Sequence, residues 1–332
     1  MSRISNYQSF YYDKLLTFCK KTWKNRKYAD EYLNYRLVEI SNNPSDIEQN
    51  LLVVNDDDEI VGCNLFIPAK AMISDKEQTI YWSHDTIIEE KYRGDIGMEL
   101  MLRVNTTKRM FGFGLSPIAE EISRKLKNNF IAKVTVSFIF NRWSIKALLY
   151  KVKILSDKTH NLTVIPDTIK VKENVFELVK KTADVSIPND GYWNRRKLDI
   201  EMCRNADFLK HRFFDNFKTY YFYQNKAEGK KSYFVVRKIV WLGIPVVSLV
   251  DFRCDLENLD EYRTILRAVN KIAVKNKLPL SVTRSTVFDR KIGLFPLTIS
   301  RVGKSAVVTN IKNIQQPSVF ITLADSDADL LQ

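Results

Sequence analysis

The sequence predicts an α/β (α+β) protein of two tandem, similar domains, each a mixed, mostly antiparallel twisted sheet flanked by helices. Three observations predict it. The 332 residues exceed what one small core accommodates and suit two domains of about 150 residues each. Three strand-like runs, a turn, a helix and a further strand follow one another in the first half, and the same order returns in the second without detectable identity. Apolar residues make up 45% and aromatics 12%, against only 10 Gly and 9 Pro, so both halves have the material for a packed core.

Phe10, Leu15, Phe18 and Cys19 fall at near-helical spacing, which predicts a helix over about 9–21, and a second follows over about 30–40. Leu51 to Asn55, Ile60 to Ala69 and Thr79 to Glu89 read as strands, the first two joined by the acidic turn Asp56-Asp57-Asp58. Ile96, Leu100, Met101 and Val104 mark a helix, and Met110 to Phe113 a short strand. Ser116-Pro117 supplies an N-cap and a first-turn proline for a helix through Leu126, with Glu120 and Glu121 placed where the helix dipole favours anions. Ile131 to Phe140 closes the first domain as a strand, and the boundaries expected are 1–145, a connection with one or two helices over 146–215, and 216–332. There, strands at Thr219–Gln224, Ser232–Trp241 and Val246–Arg253 precede a strong helical stripe from Leu259 to Ala273. A strand at Leu280–Arg284 and a short helix near Arg290 come next, then Leu297–Val308 with a turn at Gly303, and Val319–Leu323.

The 52 Lys and Arg against 39 Asp and Glu give a net charge of +13, which favours anionic partners by long-range attraction. The charges are dispersed, without the dense Arg/Lys stripe and interleaved aromatics of a nucleic-acid groove. Cys19, Cys63, Cys203 and Cys254 form no CxxC pair, so neither a metal site nor a disulfide framework is expected. The N-terminus lacks the apolar core of a signal peptide, and the most apolar window, Val235 to Phe252, is broken by Arg237, Lys238 and Pro245. A cytoplasmic protein without a membrane span is the expectation.

Chemistry is suggested in one stretch, Tyr81 to Met101. It reads as a strand, a glycine turn (Arg93-Gly94-Asp95-Ile96-Gly97) and a helix start, an arrangement that leaves backbone N–H groups unpaired and aimed at one spot, as in phosphate sites. The matching turn of the second half, Arg253-Cys-Asp-Leu-Glu-Asn258, has no glycine and added acids, so only the first copy is expected to hold an anionic ligand.

Four segments, Trp82 to Ile88, Tyr92 to Gly97, Gly112 to Ala119 and Phe320 to Asp327, together resemble the Gcn5-related N-acetyltransferase superfamily, in particular tandem members with one active-looking and one degenerate copy. The resemblance spans nearly the whole chain. It implies acetyl-CoA or another acyl-CoA as cofactor and a small-molecule amine acceptor, possibly a nucleotide-linked amino sugar of bacterial surface-polysaccharide pathways. Backbone groups at Ile87 and Ile88 would take the pantetheine arm and polarise the thioester carbonyl. The turn at Arg93, Gly94, Asp95, Ile96 and Gly97 would take the pyrophosphate. Asp85 or His84 would accept the amine proton, directly or through water. Ser123 matches the position of the tyrosine with which many members protonate the departing thiolate, and Ile96 and Met98 stand where small residues belong. Trp82, Asp325 and Asp327 are candidate acceptor contacts, with a polar chain end as the competing reading for the two acids. His84 and Asp85 have structural competitors too, a hydrogen-bonded strand histidine and a turn cap. The alternative function is a catalytically inactive binding or scaffolding protein that keeps the fold, and a third is an aminoacyl-tRNA-dependent transferase of related fold.

Overall fold

Pairs of short polar residues at positive φ fold back the first three long strands. Asp57 and Asp58 (φ 45° and 68°) join β2 (Leu51–Asp56) to β3 (Glu59–Ile73), and Ser74 and Asp75 (49° and 63°) join β3 to β4 (Lys76–Ile88). Asp tolerates the left-handed region better than most side chains, and two such residues in succession match the twist of antiparallel strands. The second turn, unmarked by glycine, makes β3 and β4 longer than the sequence reading expects.

The computed structural model describes residues 3–23, 29–40, 48–157, 159, 161–186, 198–229, 231–288, 297–312 and 317–326. The chain divides into two units, Met1–Ala132 with Ser305–Pro317, and Lys133–Lys304 with Ser318–Gln332. In unit 1, β1 (Arg3–Asn6), α1 (Tyr12–Thr22) and α2 (Ala29–Ile40) precede β2, β3 and β4. A single 3-10 turn (Glu90–Tyr92), α3 (Asp95–Thr107), β5 (Met110–Phe113) and α4 (Pro117–Lys125) follow. The sheet runs β1-β2-β3-β4-β5 and ends on residues 307–309, which pair antiparallel with Phe111 to Phe113. Leu52, Val54 and Phe66 of the sheet are buried with Leu100 and Val104 of α3, the stripe expected for that helix. As its sequence predicts, α4 starts with the Ser116 hydroxyl accepting the Ala119 N–H at 3.2 Å.

Unit 2 takes up β6 (Asn129–Phe140) and adds α5 (Ile145–Lys151), β7 (Thr168–Val171), β8 (Asn174–Val179) and β9 (Ile200–Met202). A helical segment follows, α6 (Ala206–Leu209) running into one π turn (Lys210–Phe214). Then come β10 (Tyr221–Asn225), β11 (Tyr233–Trp241), β12 (Ile244–Arg253), α7 (Leu259–Lys275), β13 (Leu280–Ser285), β14 (Thr298–Thr309) and β15 (Val319–Phe320). Its order is β6-β13-β12-β11-β10-β8-β7. The segment expected as a helical connection therefore supplies the β7–β8 hairpin to this sheet, β8 lying against β10. The α7 stripe is as expected: Tyr262, Ile265, Leu266, Val269, Ile272 and Ala273 are fully buried. The helix expected near Arg290 lies outside the described residues. In both units a three-stranded meander leads through a helix to a strand parallel to the last of the three, β5 beside β4 and β13 beside β12.

Gly303 is not a turn, because β14 runs unbroken through it. A Cβ there would lie 2.7 Å from the Val134 carbonyl oxygen, closer than real Cβ atoms approach. Glycine is required for closeness, not for reversal. Gly303→Ala is expected to cost about 1–3 kcal/mol, read as a lower urea midpoint.

The interior of unit 2 holds a charged cluster. Arg204, Asp251 and Arg253 are wholly buried. Arg204 binds Asp251 through Nε at 3.0 Å and Asp325 at 2.8 Å. Arg253 lies 3.4 Å from Asp251 and 3.3 Å from Glu201. Tyr233 and Thr322 donate to the Asp251 carboxylate at 3.0 and 2.6 Å. Burial alone would raise the Asp251 pKa, but the two guanidinium groups and the hydrogen bonds outweigh it and hold the carboxyl below its ordinary value. Asp157, likewise pushed up by burial, is held low by the Lys238 ammonium and Thr159. Folded-state values below the unfolded ones mean that these groups stabilise above the ordinary Asp pKa of about 3.9 and lose that contribution as pH falls through the lowered values. Acid unfolding followed by circular dichroism is therefore expected to set in below about pH 4, and Asp157→Asn should flatten the acid limb of stability against pH.

Candidate functional site

One extra residue in β4 creates the site. The β3–β4 register runs Gly62↔Ile88, Cys63↔Ile87 and then Leu65↔His84, so Asp85 and Thr86 together oppose Asn64 as a β-bulge. Asp85 takes φ 49°, a conformation Asp tolerates. Gly62 lets β3 lie close beneath the bulged strand, since a Cβ there would meet the Ile87 carbonyl oxygen and Val54 Cγ2 at 3.0 Å each. On its other edge β4 pairs in parallel with β5 only at Tyr81↔Met110 and Trp82↔Phe111. Beyond Trp82 the β5 strand no longer pairs with that edge. Its backbone groups can pair with an extended ligand.

The open edge leads to the start of α3. Arg93 N–H donates to Glu90 O at 3.2 Å, and Met98 N–H to Gly94 O at 3.1 Å. Gly94, the N-cap, makes no side-chain cap. Between these two bonds the N–H groups of Gly94, Asp95, Ile96 and Gly97 have no acceptor among the described residues, which is the donor set of an anion site. A Cβ on Gly94 would meet nothing within 4 Å. Gly97 sits where the helix passes Tyr92 O and Ile88 at 3.8 and 3.9 Å. Arg93, expected to contribute its N–H, has spent it on Glu90.

Unit 2 closes the corresponding helix end. Asn258 caps α7 by accepting the Glu261 N–H at 3.1 Å, and the Glu261 carboxylate accepts the Asp255 N–H at 2.8 Å. A side chain of the protein occupies one of the donors that unit 1 leaves open, and a carboxylate already stands at this helix end. The acids of this turn thus act by bonding as well as by repulsion.

The Asp85 carboxylate is held from α2. Tyr32 donates to Asp85 Oδ2 at 2.9 Å, and Arg36 Nε donates to the Tyr32 hydroxyl at 3.1 Å. Tyr32 is packed edge-on to Trp23, ring centroids 5.2 Å apart. Both Tyr32 and Arg36 are buried. Beside the bulge, Ser83 and Thr86 donate to Asn64 Oδ1 at 2.7 and 2.6 Å, and Asn64 Nδ2 is buried with no acceptor among the described residues. The sequence reading missed Tyr32, Arg36, Asn64, Ser83 and Thr86. Its one available signal was the i, i+4 spacing of Tyr32 and Arg36 on a helix.

Of the residues singled out from sequence, Asp85, Ile87, Ile88, Gly94, Asp95, Ile96 and Gly97 share this strand, turn and helix end. His84 is half-buried one residue before the bulge. Trp82 is buried against Phe111, centroids 5.6 Å apart, a core side chain. Ser123 is 1% exposed on α4, its hydroxyl without a partner among the described residues, and so is no open proton donor. Asp325 belongs to the buried cluster of unit 2, both carboxylate oxygens engaged by Arg204, and Asp327 lies outside the described residues. Among the described residues no group of three His, Cys, Asp or Glu is placed to hold a metal.

No family model and no curated protein matches the sequence. Solved structures do match in fold. A Gcn5-related N-acetyltransferase from Anabaena variabilis aligns over 93% of this chain and 72% of its own, with TM-score 0.55 and 11% identity. N-myristoyltransferase of Saccharomyces cerevisiae, solved with bound myristoyl-CoA, aligns over 94% of this chain and 83% of its own, with TM-score 0.58 and 12% identity. The chain has the Gcn5-related N-acetyltransferase fold. No helix among the described residues is long and apolar enough to cross a membrane.

Proposed function

We propose that the protein is an acyl-CoA-dependent N-acyltransferase whose unit 1 binds the acyl-CoA. The observation that carries this reading is the parting of β4 from β5 after Trp82, which runs a strand edge that β5 leaves uncovered into a helix N-terminus without a side-chain cap. The pantetheine arm would pair with the edge at Ile87 and Ile88, and the pyrophosphate would take the free N–H groups at Gly94 to Gly97. Acyl-CoA supplies an activated thioester carbonyl. The chain's own part is to hold amine and carbonyl together, to meet the developing oxyanion with a backbone N–H of the bulged strand, and to accept the amine proton.

Asp85 is the base in this proposal, with His84 as its neighbour on the strand. Arg36 and Tyr32 act as positioning residues: the hydrogen bond from Tyr32 fixes the rotamer of Asp85. The buried Ser123 contributes no proton, and the thiolate leaves unaided or through water. Acetyl is the acyl group favoured and an amino sugar the acceptor class, both resting on the family resemblance alone.

The test follows thiol release from a panel of acyl-CoA donors with amino-sugar acceptors. Asp85→Asn is expected to lower kcat by about 10²–10⁴-fold with acyl-CoA affinity unchanged. Tyr32→Phe should lower kcat by about tenfold, the loss of one hydrogen bond to a charged group, and leave KM for acyl-CoA in place. Asp95→Asn should tighten acyl-CoA severalfold, because the carboxylate beside the free N–H groups competes with phosphate for them. Absence of binding by any acyl-CoA at millimolar concentration would sink the proposal. Binding without turnover would favour a ligand-binding protein that keeps the fold.

A further inference from the structure

Unit 2 carries an apolar surface that the acyl-transfer reading does not use. On α5 and the turn after it, Ile145, Leu148, Val152 and Ile154 are 71, 60, 54 and 71% exposed. Ile145, Leu148 and Val152 recur at i, i+3 and i+7, one stripe of a helix. Arg142, Lys146, Lys151 and Lys153 flank them, and the single acid from 141 to 157 is Asp157, bound to Lys238 Nζ at 2.7 Å. The segment is held in place: Trp143 Nε1 donates to Val274 O at 3.1 Å, and Ala147 packs with Trp241 and Ile244 in one apolar cluster.

An independent observation comes from the β11–β12 hairpin. Trp241 pairs with Ile244 across a two-residue turn of Leu242 and Gly243, at φ 51° and 85°. Asn or Asp is the ordinary first residue of such a turn, and a leucine there is strained. Leu242 is nevertheless 68% exposed and buries nothing that would offset the strain. Its hairpin contributes Trp241 and Ile244 to the cluster that also receives Ala147 of α5.

We propose that α5 and the Leu242 hairpin dock unit 2 on an anionic lipid surface, the apolar side chains entering the interface and the four cations meeting lipid phosphates. Five exposed apolar side chains offer a protein partner only a small part of the roughly 1,000 Å² that a stable interface buries, whereas a bilayer interface needs no complementary shape. A second copy is disfavoured, because a two-fold contact through this stripe would set the four cations against themselves. An anionic surface neutralises them, and the net charge of +13 acts in the same sense.

Cosedimentation of the full chain with vesicles tests this. The protein is expected to partition onto vesicles of equal parts phosphatidylglycerol and phosphatidylcholine, not onto phosphatidylcholine alone, and to be released by salt. Leu148→Glu should reduce partitioning by roughly tenfold or more, and joint Lys151→Gln and Lys153→Gln by about fivefold per cation removed. Leu242→Asn is the control for folding, because asparagine suits the turn: it should keep or raise Tm and still weaken partitioning severalfold. No sedimentation with the anionic vesicles, or sedimentation indifferent to Leu148→Glu and Leu242→Asn, overturns the proposal. So does a dimer in ultracentrifugation that Leu148→Glu dissociates while vesicles are ignored, which would assign the face to a second copy. The readouts are independent of acyl-CoA, so the two proposals fail separately.

Discussion

Gly94→Glu lowers acyl-CoA affinity by about a hundredfold and leaves the fold intact: that is the expected result of calorimetry on the variant. Position 94 faces open space, so the glutamate meets no protein atom and costs little in packing. Its charge is placed where the pyrophosphate must come. A carboxylate about 4 Å from a phosphate oxygen costs about 4 kcal/mol at an effective dielectric of 20, and more water around it brings this to about 2–3 kcal/mol. A matched glutamate at Asn258 would instead disturb stability, because Asn258 caps α7 and loss of such a cap costs about 1 kcal/mol. The wild-type titration should show one acyl-CoA per chain, as the second helix end already carries the Asn258 cap and the Glu261 carboxylate, which repels phosphate. Unchanged affinity in Gly94→Glu would put the phosphates elsewhere.

Arg204→Met is expected to have the largest effect on stability, a loss of about 3–5 kcal/mol. The side chain is fully buried and bridges Asp251 and Asp325. Methionine fills much of the volume, but among the described residues Asp325 then keeps the Thr322 N–H at 2.9 Å, since the Thr322 hydroxyl donates to Asp251. Asp251 keeps Arg253, Tyr233 and Thr322. The cost falls on Asp325 and on the end of the described chain that it anchors. Urea denaturation should show a lower midpoint at unchanged slope. A loss below about 1 kcal/mol, the range of an exposed pair, would mean that water reaches the cluster.

What could be read from the sequence followed from local chemistry. The acidic β2–β3 turn, the Ser116-Pro117 cap and the α7 stripe each obey short-range rules, and each stands in the structure as expected. The β7–β8 hairpin was missed because its turn, at Lys172 with φ 54°, lacks glycine and asparagine. The bulge at Asp85 could not be read, since it exists only as a mismatch with β3, twenty-one residues away in register. The same holds for Tyr32, whose meaning depends on α2 lying beside that bulge. The phosphate cradle was legible as a glycine turn, but which N–H groups stay free depends on the 3-10 bond from Arg93 to Glu90. Asp325 read as a chain-end acid because nothing near it in sequence announces Arg204.

The pairing of β5 with residues 307–309 sets a timetable for the nascent chain. The strands of unit 1 through β5 leave the ribosome before unit 2 does. The last strand of unit 1 is made almost two hundred residues later. Until then one edge of β5 stands without its neighbour, the condition in which unfinished sheets recruit wrong strands. A chain halted before residue 305 should therefore aggregate or engage a chaperone at that edge, although it already contains the bulge, the glycine turn and α3. Completion of the first unit thus waits until most of the second has been made.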